Sequence, residues 1–293
     1  MRKTLIASSL ILSLMSPVAF AKRDPDVNRA LKKEYPDATT EVMGVRTVNG
    51  VKVSDVKITT KHGETMAKVT EYGDFVLVGE SRGDNNVSKP ALETLNGLFK
   101  KGQQDVDCYR VTSYLVDVKS ERKWFRLRYD PVGELHDIYN EAEMKRDDIK
   151  NLEKVDRKDH ADKADDYARK YMEGAKVEGV YKSPEDDDFF IVDMKQKDGR
   201  DGRITLSNVG RILSEREEID VNEIPKPVLD GMDQMFDRTK IARAYRYEYE
   251  YYQFDKVSSS GDRVSVKIRP NGDVLSVHNE GSARVEADVK RKK

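Results

Sequence analysis

Two runs of residues in this chain have the types and spacing to do chemistry at a surface. In Trp124 to Tyr129, strand alternation puts Trp124, Arg126 and Arg128 on one face and Phe125, Leu127 and Tyr129 on the other. The apolar set reads as core. Trp and Arg are the side chains most enriched at binding hot spots, and the alternative is cross-strand Trp–Arg stacking with nothing docked. From Tyr245 to Tyr251, the odd positions Tyr245, Tyr247, Tyr249 and Tyr251 share one face, while Arg246, Glu248 and Glu250 share the other. Tyrosine gives large contact area at low entropic cost, which suits a protein or glycan partner. The bland alternative is that these rings pack under the neighbouring helix.

Groups suited to catalysis are sparse. The histidines are His62, His136, His160 and His278, with no His-x-x-x-His or Glu-x-x-His spacing for a transition metal. Cys108 falls in an alternating strand, with no helix start or cation nearby in sequence to lower its pKa, and reads as a small core residue. Asp186-Asp187-Asp188 and Asp198-Gly199-Arg200-Asp201-Gly202 lack the alternate carboxylates and closing Glu of a calcium loop, and read as turns. The expectation is a protein that is not an enzyme, with no metal and no cofactor.

The elements that must position these residues repeat. Lys89-Pro90-Ala91-Leu92 returns 137 residues later as Lys226-Pro227-Val228-Leu229, and Gly73 returns as Gly210. After a two-residue insertion, Gly133 and Asn140 correspond to Gly272 and Asn279. Such internal similarity means one packing solution used twice. Each half reads as two units of a helix followed by strands. Apolar stripes at helical spacing are Val27, Ala30, Leu31 and Tyr35; Leu92, Leu95, Leu98 and Phe99; Ala164, Tyr167, Ala168, Tyr171 and Met172; and Val228, Leu229, Met232, Met235 and Phe236. Asn49-Gly50 marks a hairpin. The switch from Val51 and Val53 to Val56 and Ile58 predicts a bulge or bend. The predicted fold class is α+β: four tandem helix-plus-antiparallel-sheet units in two duplicated halves. The boundaries are a signal peptide over 1–21, a first pair of units over 22–141, a charged linker over 142–160, a second pair over 161–282 and a basic tail over 283–293.

Three stretches resemble the PepSY-like family of exported domains, related in fold to the beta-lactamase inhibitor proteins. Val27 to Ala38, ending Tyr35-Pro36-Asp37-Ala38, is similar to that family's opening helix. Arg263 to Leu275 is similar to its closing hairpin, and Thr70 to Val76 looks like a second copy. The resemblance implies a helix across one face of an antiparallel sheet, used in tandem over the whole mature chain. Units two and three depart from it, since neither has the Tyr-Pro helix end.

Arg2 and Lys3, the apolar run Leu5 to Leu14, and Ala19-Phe20-Ala21 read as a secretory leader cleaved near Ala21. The run is too short to span a bilayer, and no later run is apolar enough. The expected location is periplasmic or secreted. Of 53 basic and 54 acidic residues, removing the leader leaves 51 against 54, a balance with no electrostatic footprint for nucleic acid. A single cysteine excludes an internal disulfide. Together these predict a non-enzymatic binding or inhibitor-like protein that docks a protein partner of the cell envelope on an open sheet face. The rival expectation is an envelope sensor or scaffold, acting by self-association or by a ligand held between the halves.

Overall fold

The computed structural model describes residues 25–61, 63–82, 87–98, 105–146, 152–155, 174–183, 189–207, 211–236, 240–257 and 263–279. The leader, His62, His160, Asp186 to Asp188, the helix expected around Ala164 to Met172, and the basic tail lie outside them. In chain order the elements are α1 (Pro25–Glu34), β1 (Thr39–Val48), β2 (Val51–Thr60), β3 (Gly63–Thr70), β4 (Phe75–Arg82), α2 (Lys89–Leu98), β5 (Asp105–Ser120), β6 (Lys123–Tyr129), β7 (Leu135–Asn140) and α3 (Glu141–Arg146). Then come β8 (Lys176–Lys182), β9 (Phe189–Lys195), β10 (Asp201–Ser207), β11 (Ile212–Ile219), a 3-10 turn (Val221–Glu223), α4 (Lys226–Asp233), β12 (Ile241–Val257), β13 (Arg263–Ile268) and β14 (Val274–Asn279).

The expected tandem of separate helix-plus-sheet units is overturned. The described strands form one 14-stranded antiparallel sheet in the order β1-β2-β3-β4-β5-β12-β11-β10-β9-β8, with β6–β7 attached to β5 and β13–β14 to β12. The physical reason is the length of β5 and β12, 16 and 17 residues. They pair with each other from Val118↔Ile241 to Asp105↔Asp255, so neither half closes its own sheet. Each long strand then has surplus edge at its far end, which takes up a hairpin.

The helices are exchanged as well. Ala91 and Leu95 of α2, one turn apart on its apolar face, pack on Val106 and Cys108 of β5 and on Tyr252, Phe254, Val264, Val266 and Ile268 of β12–β13. Val228 and Met232 of α4 pack on Tyr114, Val116, Val118, Leu127 and Tyr129 of β5–β6, and on Ala244. A helix from each half thus covers mainly strands of the other. Burying each such Val, Leu or Met side chain is worth about 1.5–3 kcal/mol, so separating the halves would forfeit both clusters. Val27 and Leu31 of α1 cover Val56, Ile58, Ala67 and Val69 on the same side.

We call this the helix face and its opposite the cleft face. The odd-to-even switch in β2 is not a bulge in that strand, whose pairing with β3 runs unbroken. Val56 and Ile58 pack under α1, while Val51 and Val53 pack on the cleft face against Val132. The bulge belongs to β1, at Met43.

Candidate functional site

Strand order brings together residues that are far apart in sequence. β6 and β12 are both neighbours of β5, so Arg126 and Arg128 stand on the cleft face beside Tyr245 and Tyr249, with Trp124 on the same face further along β6. The tyrosines do not pack under the helix that precedes them, because α4 lies on the other face. Nor are they an open ladder. Tyr245 and Tyr251 are 3% and 7% exposed, and Tyr247 and Tyr249 are half-buried. Cations cover them: the guanidinium carbons of Arg126 and Arg216 stand 5.4 and 5.0 Å from the Tyr245 ring centroid. Those of Arg128 and Arg269 stand 5.6 and 6.0 Å from Tyr249, and the Lys267 ammonium 5.3 Å from Tyr251. Tyr247 stacks on Tyr249 with centroids 5.4 Å apart.

The three residues expected to form one docking patch separate into different roles. Arg126 is 7% exposed and forks onto the fully buried Asp117, its Nε donating to Oδ1 at 2.7 Å and Nη2 to Oδ2 at 3.0 Å. It is a structural ion pair, not an open surface group. Arg128 donates from Nε to Asp137 at 2.6 Å and from Nη1 to the Tyr249 hydroxyl at 3.2 Å, tying β6 to β12 across β5. Trp124 is half-exposed and stacks with Lys119, 5.6 Å away, rather than with an arginine.

Between β6–β7, β9–β12 and the β13–β14 turn lies a cleft of about 290 Å³, to which both halves contribute. Five arginines line it: Arg126, Arg128, Arg203, Arg216 and Arg269, against the carboxylates of Glu143 and Glu250. Sequence reasoning missed Arg203, Arg216 and Arg269. The alternation of β10 and β11 carries the first two, but only the pairing of β11 with β12 reveals that they face the tyrosines. Burial holds the Asp193 carboxyl above its usual pKa, against the pull of Arg203 and Arg216. Burial also pushes the Tyr139 hydroxyl up to about 12, so that it donates, here to Asp137 at 3.2 Å.

The other candidates fall elsewhere. Cys108 is buried under α2, with Arg211 Nη2 3.2 Å from its sulfur. His136 meets Asp130 and Glu134, but at the start of β7 and half in solvent, where Asp130 Oδ1 already accepts from the Val132 and Glu134 backbone. The hydrogen bond to Asp130 raises the His136 pKa, against burial. His278 is exposed on β14. Asp198 and Asp201 are engaged by Arg200 and Lys195. No helix among the described residues is long and apolar enough to cross a membrane.

No family model matches the chain, and no curated protein matches it. The 1.70 Å crystal structure of a DUF2874 family protein from Bacteroides uniformis is similar over 41% of this chain and 90% of that one, at 18% identity and a TM-score of 0.25. At that score the likeness carries no argument about fold or function.

Proposed function

We propose that this chain is an exported, non-enzymatic binding protein that takes a small ligand in the arginine–tyrosine cleft at the junction of its halves. The observation that carries the reading is the convergence of five arginines and three half-buried tyrosines, Tyr139, Tyr247 and Tyr249, on one concavity built from both halves. Concave sites with a few convergent polar groups at such junctions are where ligands bind. Export rests on the leader read from Arg2 to Ala21. The non-enzymatic part rests on the placement of Cys108 in the α2 core and of His136 at the exposed start of β7, outside the cleft lining.

A thermal-shift screen of small molecules tests it. Ser214 sits on the cleft wall, so Ser214→Trp should fill it. A ligand that stabilises the wild type and loses its effect in Ser214→Trp supports the reading. Ligands that bind both proteins alike, or a protein partner that survives Ser214→Trp and is lost in Trp124→Ala, would overturn it and move function to the Trp124 end of β6.

A further inference from the structure

Resting on that reading, we propose that the cleft holds an oxyanion, a carboxylate or phosphate group of a small molecule, seated on Arg269 between Arg128 and Arg216. The charges around the cleft point to this class. Arg126 is matched by Asp117 and Arg128 by Asp137, while Arg203 faces Asp193 at 3.7 Å. The two lining glutamates are engaged elsewhere. Glu250 accepts from Arg211 at 3.0 Å, and Glu143 accepts from the Asn140 backbone at 2.8 Å.

Arg269 differs from the rest. Among the described residues its guanidinium has no carboxylate and no side-chain hydrogen bond, and its Nε is enclosed and unmet. Its guanidinium carbon stands 6.0 Å from the Tyr249 ring centroid, and its charge also acts on the Tyr139 hydroxyl. Buried donors in native proteins are almost always met, and a cation withdrawn from water without a counter-charge is costly. The guanidinium fork matches the planar edge of a carboxylate or two phosphate oxygens. Tyr249 adds a donor: its hydroxyl oxygen accepts from Arg128, which leaves its own hydrogen to point at an anion. A neutral ligand would leave this surplus uncompensated, and a cation would be repelled.

The test is calorimetry and thermal melting of the purified full chain with inorganic phosphate, succinate, glycerol, and sodium chloride at matched ionic strength. Phosphate, succinate or both should raise the melting temperature saturably, where glycerol and chloride do not. The stronger of the two identifies the oxyanion. In Arg269→Gln the affinity for that anion should fall about tenfold or more. If that variant does not fold by circular dichroism, Tyr249→Phe replaces it and should weaken binding several-fold. An equal response of wild type and variant overturns the proposal, as does binding of neither anion. If neither anion binds but a neutral molecule is lost in Ser214→Trp, the oxyanion falls while the cleft stands as the ligand site. If nothing depends on Ser214, both fall.

Discussion

The cleft has a counterpart at the opposite end of the same face, built from the same pieces and filled in. Asp130-Pro131-Val132-Gly133 and Arg269-Pro270-Asn271-Gly272, 139 residues apart, make the same turn: Gly133 N donates to Asp130 O at 3.0 Å, and Gly272 N to Arg269 O at 2.9 Å. Val76 and Leu213, 137 apart, are each the extra residue of a bulge, in β4 and β11. At the first copy Val132 drops onto Val51, Val53 and Val76, and the site is closed by apolar contact. At the second, Asn271 stands in place of Val132 and Arg269 in place of Asp130, and the site is the open cleft. Asp130 spends itself on its own turn, whereas Arg269 reaches Tyr249. The two turns share one backbone conformation. The side chains at and around the two turns leave one as core and the other as an open cleft.

The comparison is broken most forcefully at the turns themselves, because each sits on the N-terminus of the exchanged helix. Gly133 has φ +82, and an added Cβ would lie 2.3 Å from the Pro227 carbonyl oxygen of α4. Gly272 has φ +91, and its Cβ would meet the Thr94 hydroxyl and the Pro90 oxygen of α2 at 2.9 and 3.0 Å. Both positions strain any other residue, but at Gly133 backbone must move. Gly133→Ala should cost about 3–5 kcal/mol and Gly272→Ala about 1–3 kcal/mol, read from urea midpoints. Equal costs would mean that the two helix contacts are equally tight. A negligible cost at Gly133 would refute the α4 contact.

Next in size is Val132→Asn, which gives the closed site the residue of the open one. It removes a buried side chain and leaves an amide among valines, for a loss of about 2–3 kcal/mol. Stability within about 0.5 kcal/mol of wild type would show that the valine cluster does not close that end.

A third test probes what lies between the two ends, on the helix face. There α2 and α4 cover apolar patches, and the strip between them is charged: Glu215, Glu217, Arg110, Arg246 and Glu248 face one another. Burial first, then repulsion from Glu248, which is directly opposite, and from Glu217, pushes the Glu215 pKa up to about 7, with Arg110 and Arg246 opposing. An acid whose folded pKa lies above its unfolded value of about 4.5 binds its proton more tightly when folded. Its contribution is therefore present at low pH and lost as pH rises from about 4.5 through 7, by roughly 3 kcal/mol. Glu215→Gln should flatten that decline. An unchanged slope would assign it to other groups.

Much of this was legible at the level of strands. Alternation placed Trp124, Arg126 and Arg128 opposite Leu127 and Tyr129, and β6 has that division. Asn49 and Gly50 do take positive φ at a hairpin. What could not be read was which strands are neighbours. Local periodicity says which face a residue joins within its own strand. It carries nothing about β12 pairing with β5 rather than closing a separate unit, and that pairing is what seats Arg128 beside Tyr249. The same limit hid Asp117, whose burial opposite Arg126 turned an expected surface arginine into an internal ion pair.

The smallest expected effect is the reciprocal exchange, Asn271→Val. Asn271 Nδ2 donates to Asp273 at 3.0 Å, and its Oδ1 accepts from the Asp273 backbone at 3.1 Å, both at the exposed tip of the turn. Losing such exposed bonds costs little, so stability should change by less than about 1 kcal/mol. The closed copy closes because Val132 meets Val51 and Val53, whereas a valine at 271 would face Arg269 and the tyrosines. It should therefore not recreate the valine cluster. A ligand held in the cleft should bind more weakly, because one polar wall becomes apolar. A gain above about 1 kcal/mol from Asn271→Val would mean that the second site collapses as readily as the first, and that one residue rather than the arginine surround keeps it open.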